Sequence, residues 1–221
     1  MANSQQRRQK QLAKQKAKRK AVITAKKMVD KLGGLLSQSA LKNMPVYESL
    51  APNGLFEAGI GTVIIARKMP NEHIGTSFFM LDVFCLGVKN AFFAEITLQS
   101  YRQRLREIEE REALQIISPA CARKLIEDCA AYAKNLGFSA HSDYTKAKKV
   151  FAGIDAKACS EEFTFGKDGK PLYISGPFDT FERSRKIINQ LTKTCGPDNF
   201  HYFAGLEEPL NEKKLETEFK A

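Results

Sequence analysis

Apolar positions are densest between Gly59 and Thr97, GIGTVIIARKMPNEHIGTSFFMLDVFCLGVKNAFFAEIT, the richest run of β-branched and aromatic residues in the chain. The pattern predicts a buried hairpin with helices packed on it. Pro45-Val46-Tyr47 opens a short strand, and Ala51-Pro52-Asn53-Gly54 is a turn. Leu55 to Met69 reads as a strand broken or bulged at Gly59 and Gly61. Pro70 to His73 turns the chain, and Ile74 to Phe84 returns antiparallel. Phe78, Met80, Phe84 and Leu86 fall on one face of that strand, Phe79, Leu81, Val83 and Cys85 on the other. A strand apolar on both faces is covered on both faces. Cys85 to Asn90 is expected to leave the sheet as a loop.

Beyond Thr97 the period changes from two to nearly four. Leu98, Tyr101, Leu105 and Ile108 predict a helix over 97–113, with REIEERE outward. Ser118-Pro119 supplies a cap and first-turn proline for a helix to Asn135, ended by Gly137. Ser142-Asp143 caps a helix running through Phe151. Lys167-Asp168-Gly169-Lys170, between FTFG and LYIS, carries the Asp-Gly signal of a type I′ hairpin. Asp179, with Glu182 three residues later, marks the last long helix, stopped by Gly196-Pro197. Asn199 to Ala204 forms a final strand. The predicted class is α+β: an antiparallel sheet centred on the 59–97 hairpin, covered by about four helices.

Charge then divides the chain. Arg7, Arg8, Lys10, Lys14, Lys16, Lys18, Arg19, Lys20, Lys26 and Lys27 fall within residues 1–27, which hold no acid. Removing these ten from 35 basic residues leaves 25, matched by 25 acidic residues in the remainder. Residues 1–27 therefore form a basic arm, disordered or helical, before a formally neutral domain over 28–206 and a charged tail over 207–221. Ten like charges repel, and a polyanion relieves that repulsion. Lysines and arginines of this kind displace counterions from a phosphate backbone. The arm holds no aromatic residue to stack on bases, which implies attachment without sequence preference. RNA is the expected partner rather than DNA, because no DNA-reading motif is present.

The sequence has no apolar run long enough for a membrane span and no secretory signal. The cytoplasm is the expected location, although KAKRK at 16–20 also suits a nuclear signal. Cys85, Cys121, Cys129, Cys159 and Cys195 form no CxxC pair. Their odd number predicts thiols in a reducing compartment rather than a disulfide framework.

Candidate chemistry is sparse. Asp82 sits between Met80 and Phe84, where desolvation raises a carboxyl pKa. It is either a general acid or base, or a buried acceptor of loop hydrogen bonds or partner of Arg67 or Lys89. Glu95, bordered by Phe92, Phe93 and Ile96, could complete a carboxylate pair with it. His141 and Asp143 supply a base or a helix-capping loop. Cys159 is a possible exposed thiol. Asp82, Glu95, His141 and Asp143 thus define a hydrolase or nuclease alternative, and an exposed apolar patch would define a protein-interaction module. The His and Cys spacings give no zinc site, Gly59-Ile60-Gly61 lacks the order of a dinucleotide loop, and no cofactor is implied.

Three segments carry a resemblance: LDVFCLGVKNAFF at 81–93, LGFSAHSDYTKAKKVF at 136–151 and FTFGKDGKPLYISGPFD at 163–179. Together, across about 45–204, the chain resembles a group of short bacterial proteins with lysine-rich starts and no assigned activity. The resemblance implies a single domain in a bacterial cytoplasm. It transfers no catalytic residue.

Overall fold

The computed structural model describes residues 41–204. The arm over 1–27 and the tail over 207–221 lie outside them. The strands are β1 (Val46–Pro52), β2 (Ile60–Lys68), β3 (His73–Asp82), β4 (Gly87–Thr97), β5 (Leu114–Ile116), β6 (Leu172–Ile174) and β7 (His201–Phe203). The helices are α1 (Leu55–Ala58), α2 (Leu98–Glu109), α3 (Pro119–Asn135), α4 (Tyr144–Ala147) and α5 (Phe181–Cys195). β1 to β5 make one antiparallel sheet in the order β4-β3-β2-β1-β5. β6 and β7 pair in parallel as a separate ribbon.

Helices pack on both faces of the sheet, as its doubly apolar strands require. Val63, Ile65, Phe79 and Leu81 pack against Ala122, Leu125, Ile126 and Cys129 of α3. Ile64, Ala66, Ile74 and Phe78 face Tyr101, Leu105 and Ile108 of α2. Each large side chain removed from water here contributes about 1.5–3 kcal/mol. The Thr97 and Ser118 hydroxyls cap α2 and α3 by accepting from Ser100 N and Cys121 N.

Four local expectations change. Cys85 to Asn90 is not an exit loop: Val83 to Leu86 form the turn, and the chain re-enters the sheet at Gly87. The turn is as apolar as the strand before it, because all four side chains are buried. It plugs between the main core and a second cluster of Leu136, Tyr173, Ile187, Leu191 and Phe200. Leu55 to Ala58 is a helical turn rather than strand. It ends at Gly59 (φ 79°), whose N–H bonds to Leu55 O and where a Cβ would strike the Phe84 ring. The cap of α5 is Thr180, whose hydroxyl accepts from Arg183 N. Asp179 instead accepts from Gly176 N (2.9 Å) and Tyr173 Oη (3.1 Å) and pairs with Arg183 (3.2 Å). The Asp168-Gly169 turn has the expected left-handed φ at both residues, 51° and 79°. It is followed by β6, which takes β7 rather than the preceding segment as its partner.

Candidate nucleic-acid interface

The carboxylates singled out in the sequence are held apart. Asp82 ends β3 and is 7% exposed. Its Oδ1 accepts from Phe84 N (3.1 Å) and Cys85 N (2.9 Å), so it braces the buried turn. Burial raises its pKa, and these amides and the nearby Lys89 charge partly oppose that shift. Glu95 is exposed and opposite Gly75, whereas Asp82 is opposite Gly87. Eight positions of β4 separate Gly87 from Glu95, about 26 Å at the usual strand rise. The expected carboxylate pair is therefore absent.

His141 and Asp143 do meet, in the turn that opens α4. His141 Nδ1 accepts from Asp143 N (3.2 Å) and lies 3.9 Å from Asp143 Oδ2. The same turn is fastened to β4 by His141 N donating to Val88 O (2.9 Å). Asp143 also lies 3.8 Å from Lys146. Neither of the two concavities described below is lined by Asp82, Glu95, His141 or Asp143. Among the described residues no group of three or more His, Cys, Asp or Glu could hold a metal ion. No described helix is long and apolar enough to cross a membrane.

Arg67 is not Asp82's partner. It is 2% exposed and sits opposite Gly75, toward the other end of β2 from Ile60, which faces Asp82. Its guanidinium donates to Met44 O (2.5 Å), Val150 O (2.7 Å) and Ala152 O. This fork ties β2 to the turn before β1, at Met44, and to the segment after α4, at Val150 and Ala152. Desolvation lowers the pKa of the guanidinium.

The cysteine expectation also changes. Cys121 and Cys159 form a disulfide, their Cα atoms 4.9 Å apart. The first turn of α3 meets the end of a 3-10 turn over Ala156–Ala158, and Cys159 is buried, not an exposed thiol. Cys85 and Cys129 are buried thiols, each raised in pKa by desolvation and by Asp82, which makes them poor nucleophiles.

Exposed aromatic surface concentrates on the β6–β7 ribbon and the loop between β6 and α5. Phe178 is 92% exposed, Phe203 70%, Ile174 47% and Tyr202 44%. Register places Ile174 beside Phe203, and Ser175 N donates to Phe203 O (2.9 Å). Lys167, Leu172, Phe200, His201, Tyr202 and Phe203 line an open concavity of about 600 Å³. The Lys167 ammonium lies 5.6 Å from the Phe84 ring, and Lys170 Nζ donates to Asp198 O (2.8 Å). Next to the ribbon, α5 carries Arg183, Arg185, Lys186 and Lys193 against one acid, Glu182. Rings open to solvent can stack on unpaired bases while neighbouring cations hold phosphates. Sequence reading found the elements here but not this surface. Its only signals were the lysine-rich turn and NFHYFA, both explained by structure alone.

Comparison with family models, with curated proteins and with solved structures finds no match.

Proposed function

We propose that the protein is a non-enzymatic nucleic-acid-associated protein that binds RNA. The basic arm supplies electrostatic attachment, and the β6–β7 surface supplies contact with bases. The observation that carries this reading is the exposure of Tyr202 and Phe203 in the concavity they share with Lys167 and His201, with Phe178 exposed in the loop that follows β6. The arm has ten cations and no aromatic residue, so stacking has to come from the domain. RNA rather than DNA rests on the absence of a DNA-reading motif and on the single-stranded character of RNA loops. A cytoplasmic or ribosomal setting follows from that partner. The placement of Asp82 and Glu95 lends no support to the hydrolase or nuclease alternative. The exposed Ile174 and Phe178 suit a protein-interaction module as well, and the ring variants below separate the two.

The test is binding to total RNA over a salt series. The native chain is compared with one whose ten arm cations are glutamine, and with Phe178→Ala, Tyr202→Ala and Phe203→Ala combined. The arm variant is expected to bind more weakly with a shallower salt slope, each lost phosphate contact removing about 0.7 from the slope for single strands. The ring variant is expected to keep the slope and lose affinity, by about 1–3 kcal/mol for each stacked base. Unchanged affinity in the arm variant overturns the proposal. Unchanged affinity in the ring variant moves this surface to a protein partner.

A further inference from the structure

The face of the sheet that carries α2 is only partly covered. Tyr101, Leu105 and Ile108 lie over Ile64, Ala66, Ile74 and Phe78. Past them, Ile60, Met80 and Phe92 remain 46%, 39% and 36% exposed on three adjacent strands. The Phe78 and Phe92 rings stack at 4.8 Å, 17° from parallel. Above this floor α2 and its exit present Arg104, Glu107, Ile108 and Arg111, which recur at helical spacing along one side. The space between is an open groove of about 220 Å³, with Thr62 and Asn90 on its strand side.

The rim holds uncommitted charge. The guanidinium groups of Arg104 and Arg111 make no hydrogen bond or ion pair among the described residues. Glu107 Oε1 accepts from Gln103 Nε2 (3.2 Å), and Glu112 Oε2 accepts from Thr62 N (3.0 Å). Arg104 lies within α2 and Arg111 two positions past its end, so both stand on the helix side of the groove. Both reach over the groove from that side and can converge on one anion. A phosphate offers oxygens in both directions, whereas a carboxylate offers one edge. An apolar ring surface under two free guanidiniums matches one ligand chemistry, a planar base joined to a phosphate.

We propose that this groove binds a nucleotide. The base lies against Phe92 and Met80, its polar edge meets the Asn90 amide, and the phosphate is held by Arg104 and Arg111. The site is separate from the arm and from the β6–β7 surface. The nucleotide is either free or one unit of a strand.

The experiment uses the full-length chain with the ten arm cations changed to glutamine, so that a failed arm reading leaves the result intact. Calorimetry with adenosine monophosphate is expected to show saturable binding. Arg104→Gln and Arg111→Gln each weaken it about tenfold, the loss of one charge-assisted contact. Glu107→Gln strengthens it severalfold by removing the opposing carboxylate. Phe92→Leu weakens it with an unchanged circular dichroism spectrum. A ten-nucleotide single strand that displaces the mononucleotide and loses affinity in Arg104→Gln identifies a strand-borne unit; a strand that leaves the mononucleotide bound identifies a free one. No saturable binding, equal affinity for adenosine without its phosphate, or affinity indifferent to both arginine changes overturns the proposal.

Discussion

Reduction of the Cys121–Cys159 bond releases a link between the first turn of α3 and the segment that leads toward β6. The bond spans 38 residues. Closing a loop of that length in the unfolded chain stabilises the fold by about 4 kcal/mol at 25 °C in the chain-entropy account. That is a large share of the roughly 5–15 kcal/mol that holds a domain together. With a urea dependence near 2 kcal/mol per molar, the midpoint of unfolding falls by about 2 M on reduction. The measurement is urea denaturation followed by far-ultraviolet circular dichroism, with and without dithiothreitol, on the native chain and on Cys121→Ala/Cys159→Ala. The double variant is expected to sit near the reduced native chain and to ignore the reductant. The buried thiols Cys85 and Cys129 are common to all samples and cancel. A native midpoint that moves by less than about 0.3 M, with mass spectrometry confirming reduction, refutes the reasoning. The same samples bear on location, because a cytoplasmic chain works against a reducing pool.

Substitutions at four other positions test the local physics. Asp82→Ala strips the acceptor from two buried amides and is expected to cost about 2–3 kcal/mol, whereas Asp82→Asn keeps a carbonyl there. The raised pKa of Asp82 gives stability that is complete below the ordinary aspartate value, near pH 4, and is lost as pH rises through the folded value. Urea midpoints from pH 3 to 7 should therefore fall more steeply in the native chain than in Asp82→Asn; equal slopes refute this. Gly87→Ala forces a Cβ to 2.5 Å from Ala133 Cβ at φ 68°, and is expected to cost about 2 kcal/mol or more in thermal unfolding. Gly169→Ala, with φ 79° and nothing within 4 Å, should cost only about 1 kcal/mol. Thr180→Ala removes the cap of α5 and should cost about 1 kcal/mol, measured the same way.

The elements that announced themselves are those whose rule is local. β2 and β3 follow from a dense run of β-branched and aromatic residues broken by the Pro70–His73 turn, α3 from Ser118-Pro119, and the 167–170 turn from Asp-Gly. β4 was hidden because a turn of Val83, Phe84, Cys85 and Leu86 is as apolar as a strand, and Lys89-Asn90 after it has the composition of a loop. Polarity normally rises at a turn because turns face water; this one faces a second core. The disulfide was hidden because pairing depends on tertiary distance, and nothing in the separation of Cys121 from Cys159 encodes it. The charge of the arm was plain in the sequence. The exposed rings of β7 and the arginine-rimmed groove of α2 were not, since exposure of an apolar residue is decided by what fails to cover it. Asp82 was picked out correctly as an unusual carboxylate, and its two amide partners identify what it does in the fold.

Arg67 bears on the order of events in folding. Its acceptors lie 23, 83 and 85 positions away in the chain. The hairpins of the sheet join near neighbours and can form early, but this fork closes only once the segment around Val150 has docked. Loop-closure entropy opposes contacts of such long separation early in folding, and this fork is expected to close after the transition state. Its loss then appears in the rate of unfolding and not in the rate of folding. Arg67→Met is expected to leave refolding nearly unchanged and to shorten the lifetime of the native state. The guanidinium thus works as a latch that sets how long the domain stays closed after it has folded.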